Sequence, residues 1–90
     1  MATMIVRFQV EDFDRWKAAF DGMGEGRREH GIVDATVHRN VSDPDTVVTI
    51  LRAKTLREAQ AWGNSDQLRE AMRRAGADGV VEIEYLEDVG

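Results

Sequence analysis

Two strand-forming segments, Val33 to Val41 (VDATVHRNV) and Thr46 to Ala53 (TVVTILRA), are separated only by Ser42-Asp43-Pro44-Asp45, which places an antiparallel hairpin in the middle of the chain. The turn residues have a mechanism: Asp43 accepts local backbone bonds, and Pro44 presets the backbone dihedral as the chain reverses. The first strand alternates, setting Val33, Ala35, Val37, Arg39 and Val41 against Asp34, Thr36, His38 and Asn40. The second is almost uniformly apolar, as expected of a strand covered on both faces and therefore central in its sheet.

The flanking segments complete the order. Thr3 to Val10 (TMIVRFQV) is rich in β-branched and aromatic residues without a helical period, which predicts a strand. Asp12 then caps an amphipathic helix carrying Phe13, Trp16, Phe20, Met23 and Arg27 at three- and four-residue spacings, with His30 and Gly31 closing it. Gly22, Gly24 and Gly26 weaken the middle of that helix by about 1 kcal/mol each. After the hairpin, Thr55 and Glu58 form a capping box over a short helix with Leu56, Ala59 and Trp62, ending near Gly63. Asn64 or Ser65 starts another, with Leu68, Ala71, Met72 and Ala75 on one face and Gly76 as the stop. Val80 to Glu87 (VVEIEYLE) is the last strand, Val81, Ile83 and Tyr85 opposing Glu82 and Glu84.

The order β-α-β-β-α-β is the split βαβ pattern of an α+β, ferredoxin-like fold: a four-stranded antiparallel sheet with strands one and three at its centre. Ninety residues admit one core, so residues 1–90 are expected to form a single domain. The helices cover one face of such a sheet. The other face, expected to mix Ile5, Val47 and Leu51 with Arg7, Gln9, Thr49 and the two glutamates, suits a partly wet sheet-to-sheet homodimer. Twelve Lys and Arg against seventeen Asp and Glu leave a net charge of −5, which disfavours nucleic acid and anionic membrane surfaces as partners. The absence of cysteine removes disulfide and thiolate chemistry and fits a cytoplasmic location. The most apolar stretch, Val47 to Leu51, falls far short of a spanning helix or leader core, so no export or anchoring is expected. His30 and His38 have no clustered ligand partners, and no metal site is expected.

Four stretches recur in order along a known pattern: VRFQVEDFDRWKAAFD from Val6 to Asp21, RREHG from Arg27 to Gly31, HRNVSDPDTVV from His38 to Val48, and SDQLREAMRRAG from Ser65 to Gly76. In these the chain resembles the dimeric α/β-barrel superfamily, and within it the small antibiotic biosynthesis monooxygenase-like and cyclase-like proteins. The resemblance implies a homodimer whose two sheets form a barrel, each subunit keeping a cleft between sheet and helices. The superfamily includes cofactor-free oxygenases acting on aromatic polyketides, polyketide cyclases, haem-degrading enzymes, isomerases and proteins with no known activity. Haem-degrading relatives place a His ligand on the second helix, whereas Thr55 to Gly76 contains none, so no cofactor is expected. Where cofactor-free oxygenases place an Asn on strand one, this chain has Arg7 and Gln9; their substrate-ordering Trp is matched by Trp62 or Trp16. A Glu-x-Trp that ends strand three in many oxygenase-like domains is replaced by Leu51-Arg52-Ala53.

The residues themselves offer candidates for a site. Phe8, Trp16, Phe20, Trp62 and Met72 make either an apolar cleft for a planar aromatic ligand or an ordinary core, with Trp62 beside Gly63 at a possible lid hinge. His38 is the candidate for proton transfer, or an edge-strand histidine meeting solvent or the dimer seam. Arg39, on the apolar side of its strand, either stabilises an enolate-like oxygen or pairs with Asp14 or Asp21. Tyr85 either donates to a ligand oxygen or is a core residue with a wet tip. His30 is a helix C-terminal residue interacting with the dipole. Glu82 and Glu84 read as edge-strand protection, and Arg69, Arg73 and Arg74 as a solvated face. Together these predict a homodimer that binds a small apolar, aromatic or polyketide-like molecule, with cofactor-independent oxygenation or ring closure as its chemistry. The alternative is a non-catalytic ligand-binding or stress-response dimer.

Overall fold

The computed structural model describes residues 1–77 and 79–90. Along the chain run β1 (Ala2–Gln9), α1 (Phe13–Gly22), α2 (Gly24–Glu29), β2 (Ile32–Arg39), β3 (Thr46–Ala53), α3 (Leu56–Gly63), α4 (Asp66–Arg74) and β4 (Glu82–Glu87). The strands form one antiparallel sheet in the order β2-β3-β1-β4, a ferredoxin-like arrangement with β1 and β3 central as their apolar composition predicts.

Three helices begin on side-chain caps that the sequence offered, the last at Ser65 rather than the alternative Asn64. Asp12 accepts from the Arg15 amide, Thr55 from that of Glu58, and Ser65 from that of Leu68, each satisfying a donor that the first helical turn leaves free. The single helix expected after β1 is two. Met23, at φ −98° and ψ 12°, separates α1 from α2, where three alternating glycines leave the backbone least reason to stay helical. The second helix ends into Gly31 at φ +78°, a conformation that favours glycine, and a Cβ there would overlap the Glu58 carboxylate.

The phase of β3 differs from the expectation. Its register sets Phe8 opposite Val47, Val6 opposite Thr49 and Met4 opposite Leu51, so all six lie on the helix-covered face and are buried. Val47, Thr49 and Leu51 therefore do not belong to the uncovered face. Val48 and Ile50, half-buried, take their place there beside Ile5, Arg7, Gln9, Arg52, Glu82 and Glu84. Because the side-chain period is two, a one-residue difference in phase exchanges the faces, and a continuously apolar strand does not display its phase.

The alternation read in β2 fails at its start for a related reason. An irregularity between Ile32 and Asp34 inserts one residue, so Ile32 is buried opposite Ala53 and Val33 is left 49% exposed. From Ala35 to Arg39 the expected phase holds, while Val41 lies past the strand and is exposed. The last strand begins at Glu82 rather than Val80, which is also exposed. Just beyond it, Asp88 accepts from Thr3 Oγ1 and from Arg52, each at 2.7 Å, and these bonds hold its carboxyl below the usual aspartate value.

Candidate ligand cleft

The stripe written along the first helical segment survives its break. Trp16 and Phe20 of α1, Met23 at the joint and Arg27 of α2 all face the same space beneath the helices. Val6 and Phe8 of β1 and Thr49 and Leu51 of β3 form its floor, while Trp62 of α3 and Leu68, Ala71 and Met72 of α4 close it. The cavity, partly open to the surface, is about 30 Å³, enough for a water molecule or so and too small for a ring system. Its walls are aromatic: Phe8 and Trp16 have ring centroids 5.2 Å apart, and Trp16 stacks on Phe20 at 5.1 Å. Such offset and tilted pairs favour aromatic neighbours.

Two polar side chains interrupt this lining. Thr49 is buried on the floor. Arg27 is half-buried, its guanidinium carbon 3.8 Å from the Phe20 ring centroid and its Nη1 donating to the Phe20 carbonyl at 2.6 Å. Burial lowers its pKa from the ordinary arginine value, opposed by the charge of Asp21. Behind the cavity, a groove of about 260 Å³ runs between α4 and β4, lined by residues that include Gly63, Ala77, Val81 and Ile83. Leu68 and Met72 border both spaces and so form the wall between them.

All five residues predicted to bind an aromatic molecule, Phe8, Trp16, Phe20, Trp62 and Met72, meet at this one cavity. The three predicted to carry chemistry do not. His38 stands on the uncovered face opposite Val48, exposed, its Nε2 2.9 Å from Thr36 Oγ1. Arg39 lies on the helical side but at the strand's end, its guanidinium 4.1 Å from the Phe13 centroid and its Nε donating to the Pro44 carbonyl at 3.0 Å. Neither carboxylate expected to pair with it does so: its partners are a ring and a backbone oxygen, and Asp21 is held by Lys17 at 2.9 Å. Tyr85 packs its hydroxyl against Gly63, where a Cβ would overlap it, and lines neither cavity nor groove. His30 places Nδ1 2.9 Å from the Gly26 carbonyl and its ring 5.1 Å from Trp62.

Burial raises the Tyr85 phenol above its ordinary value of 10.0. A folded-state pKa raised in this way contributes stability that is complete below pH 10.0 and is lost as pH rises through the folded value, because only the unfolded phenol ionises early. Thermal melts of wild type and Tyr85→Phe against pH are expected to converge from neutral to strongly alkaline conditions, the wild type alone losing this component. Parallel curves would show that the phenol is as free in the folded chain as in the unfolded one.

The sequence pattern does not single out Arg27 or Thr49 as site residues. The signal for Arg27 was present, since it ends an otherwise apolar stripe, but arginine at a helix end has ordinary explanations. Thr49 needed the register of β3. Among the described residues no group of three or more His, Cys, Asp or Glu side chains is placed to hold a metal ion, and no helix is long and apolar enough to cross a membrane. Glu70 bridges to Arg73 at 2.6 Å and Arg74 at 3.1 Å, with its carboxyl pKa lowered chiefly by the Arg73 bond, in keeping with a solvated helix face.

A family model described as antibiotic biosynthesis monooxygenase matches residues 1–74. No curated protein matches. Among solved structures, a Bordetella bronchiseptica protein given the same description provisionally superposes with a TM-score of 0.78 at 12% identity, covering 98% of this chain and 96% of its own. A conserved protein from Methanosarcina mazei Go1 gives 0.74 at 18% identity, covering 99% and 94%. SnoaB from Streptomyces nogalater, described as a cofactor-independent oxygenase, gives 0.73 at 19% identity, covering 97% and 91%. At these identities the likenesses show the fold.

Proposed function

Since this chain belongs to the antibiotic biosynthesis monooxygenase family, we propose that it works as a cytoplasmic homodimer whose subunit cleft takes a small, planar, aromatic or polyketide-like molecule for cofactor-independent oxygenation or ring closure. The observation that carries this reading is the meeting of Phe8, Trp16, Phe20, Trp62 and Met72 around one apolar space with few polar groups, the ordinary composition of a small-molecule site. In oxygenation without a cofactor the substrate itself supplies the electrons: a ring methylene and dioxygen give a ring carbonyl and water. Trp16 and Trp62 hold the ring, and apolar walls exclude water from the reacting carbon. No proton step is assigned to His38, Arg39 or Tyr85, because none of them lines the cavity.

The 30 Å³ volume requires the cleft to open for any ring to enter. Met72 is the side chain suited to move: it is unbranched, flexible, and stands between the cavity and the larger groove. Truncation by Met72→Ala is expected to cost about 2–4 kcal/mol of stability while joining the two spaces. In the same variant, affinity for naphthalene-2-carboxamide, followed by tryptophan fluorescence, is expected to rise about tenfold, equivalent to roughly 1.4 kcal/mol. Failure of that probe to bind either protein would remove the cleft reading. The small volume of the cavity favours a second reading, a non-catalytic dimer that binds a ligand without turning it over. Binding with no dioxygen uptake across phenolic and enolic substrates would select it.

A further inference from the structure

One side chain at the cavity has chemistry that its apolar surroundings do not use. Arg27 sits half-buried with a flat guanidinium laid over Phe20. Of its several N–H donors, Nη1 reaches a protein acceptor, the Phe20 carbonyl. Among the described residues no carboxylate stands within ion-pair distance of it: Asp21 acts on it through space, but the Asp21 carboxylate is bound to Lys17 at 2.9 Å. Arg28, next to it, adds like charge. Even partial withdrawal of a cation from water without a paired anion carries a cost, and an apolar wall does not call for one. The stacking on Phe20 also fixes the plane of the guanidinium, so its free N–H groups form a ready fork for a planar anion.

We propose that Arg27 is the anion-recognising residue of this cleft, and that the ligand is a planar apolar molecule bearing a carboxylate or an ionised ring hydroxyl. That group rests on the guanidinium, and the ring lies among Trp16, Phe20 and Met72. The inference builds on the cleft reading above and narrows its substrate class. A chain of net charge −5 does not draw anions by its overall field, so selection for one falls to a local cation.

The test titrates naphthalene-2-carboxylate and its neutral isostere naphthalene-2-carboxamide into wild type, Arg27→Gln and Arg27→Lys, read through tryptophan fluorescence. Wild type is expected to bind the carboxylate about tenfold or more tighter than the amide, as a desolvated charge-assisted pair would. Arg27→Gln is expected to abolish that preference by weakening the carboxylate about tenfold more than the amide, and Arg27→Lys to restore part of it, since lysine keeps the charge without the planar fork. Equal affinity of wild type for the two probes would overturn the assignment and leave the cleft intact, a result that needs no folded variant. Equal weakening of both probes in Arg27→Gln would do the same, making Arg27 a structural wall. Binding of neither probe to wild type would remove the cleft reading and this one with it.

Discussion

Replacing Trp62 by alanine is expected to lower stability by about 3–5 kcal/mol, the range for deleting a large buried aromatic. Trp62 is 2% exposed, among the largest fully buried side chains, and it packs α3 onto the sheet while its ring meets that of His30. Domains of this size are stable by only about 5–15 kcal/mol, so the variant keeps little reserve. Urea unfolding followed by circular dichroism, at one fixed protein concentration, measures the loss. Trp62→Phe, which retains an aromatic ring at the same position, is expected to lose less than half as much. A loss below about 1 kcal/mol for the alanine variant would mean that the helices close over the vacated space, contrary to a close-packed interior.

The uncovered sheet face gives the second large effect. Ile5 and Ile50 pair directly across the two central strands, with Val48 beside them, and all three are only half-buried on a face that no helix covers. In the proposed homodimer this apolar centre meets its own copy, and charges such as Arg7, Arg52 and Glu84 surround it. Ile50→Glu would place two like charges, one from each subunit, at the middle of that contact. Unpaired buried charge costs on the order of 2–5 kcal/mol, enough to raise the dimer dissociation constant by about a thousandfold. Sedimentation at micromolar concentration is expected to find wild type as a dimer and Ile50→Glu as a monomer with unchanged secondary structure. A monomeric wild type would remove the homodimer from the functional proposal.

Some elements of this protein were readable without coordinates because their causes are local. Asp12 and Thr55 cap helices through bonds three residues away, and the turn after β2 closes within a few residues, though it is Asn40 Oδ1 that accepts from the Ser42 and Asp43 amides while Asp43 Oδ2 accepts from Thr46 Oγ1. The order of elements then fixed which strands sit at the centre. The aromatic set of the cleft was legible for a similar reason: helical spacing put Trp16, Phe20, Met23 and Arg27 on one side, and the break at Met23 did not rotate them apart.

What the sequence by itself determined was therefore the chain order of strands and helical segments, the caps at Asp12 and Thr55, and the apolar stripe that lines the cleft. Only the tertiary structure decided which side of β3 faces the helices, that Ile32 rather than Val33 fills the core, and that His38, Arg39 and Tyr85 stand apart from the cavity while Arg27 joins it. The physical reason is that caps and helical stripes are set by neighbours along the chain. The phase of an all-apolar strand, an inserted residue and the convergence of side chains are set by pairing across it, where a shift of one residue exchanges the two faces of a sheet.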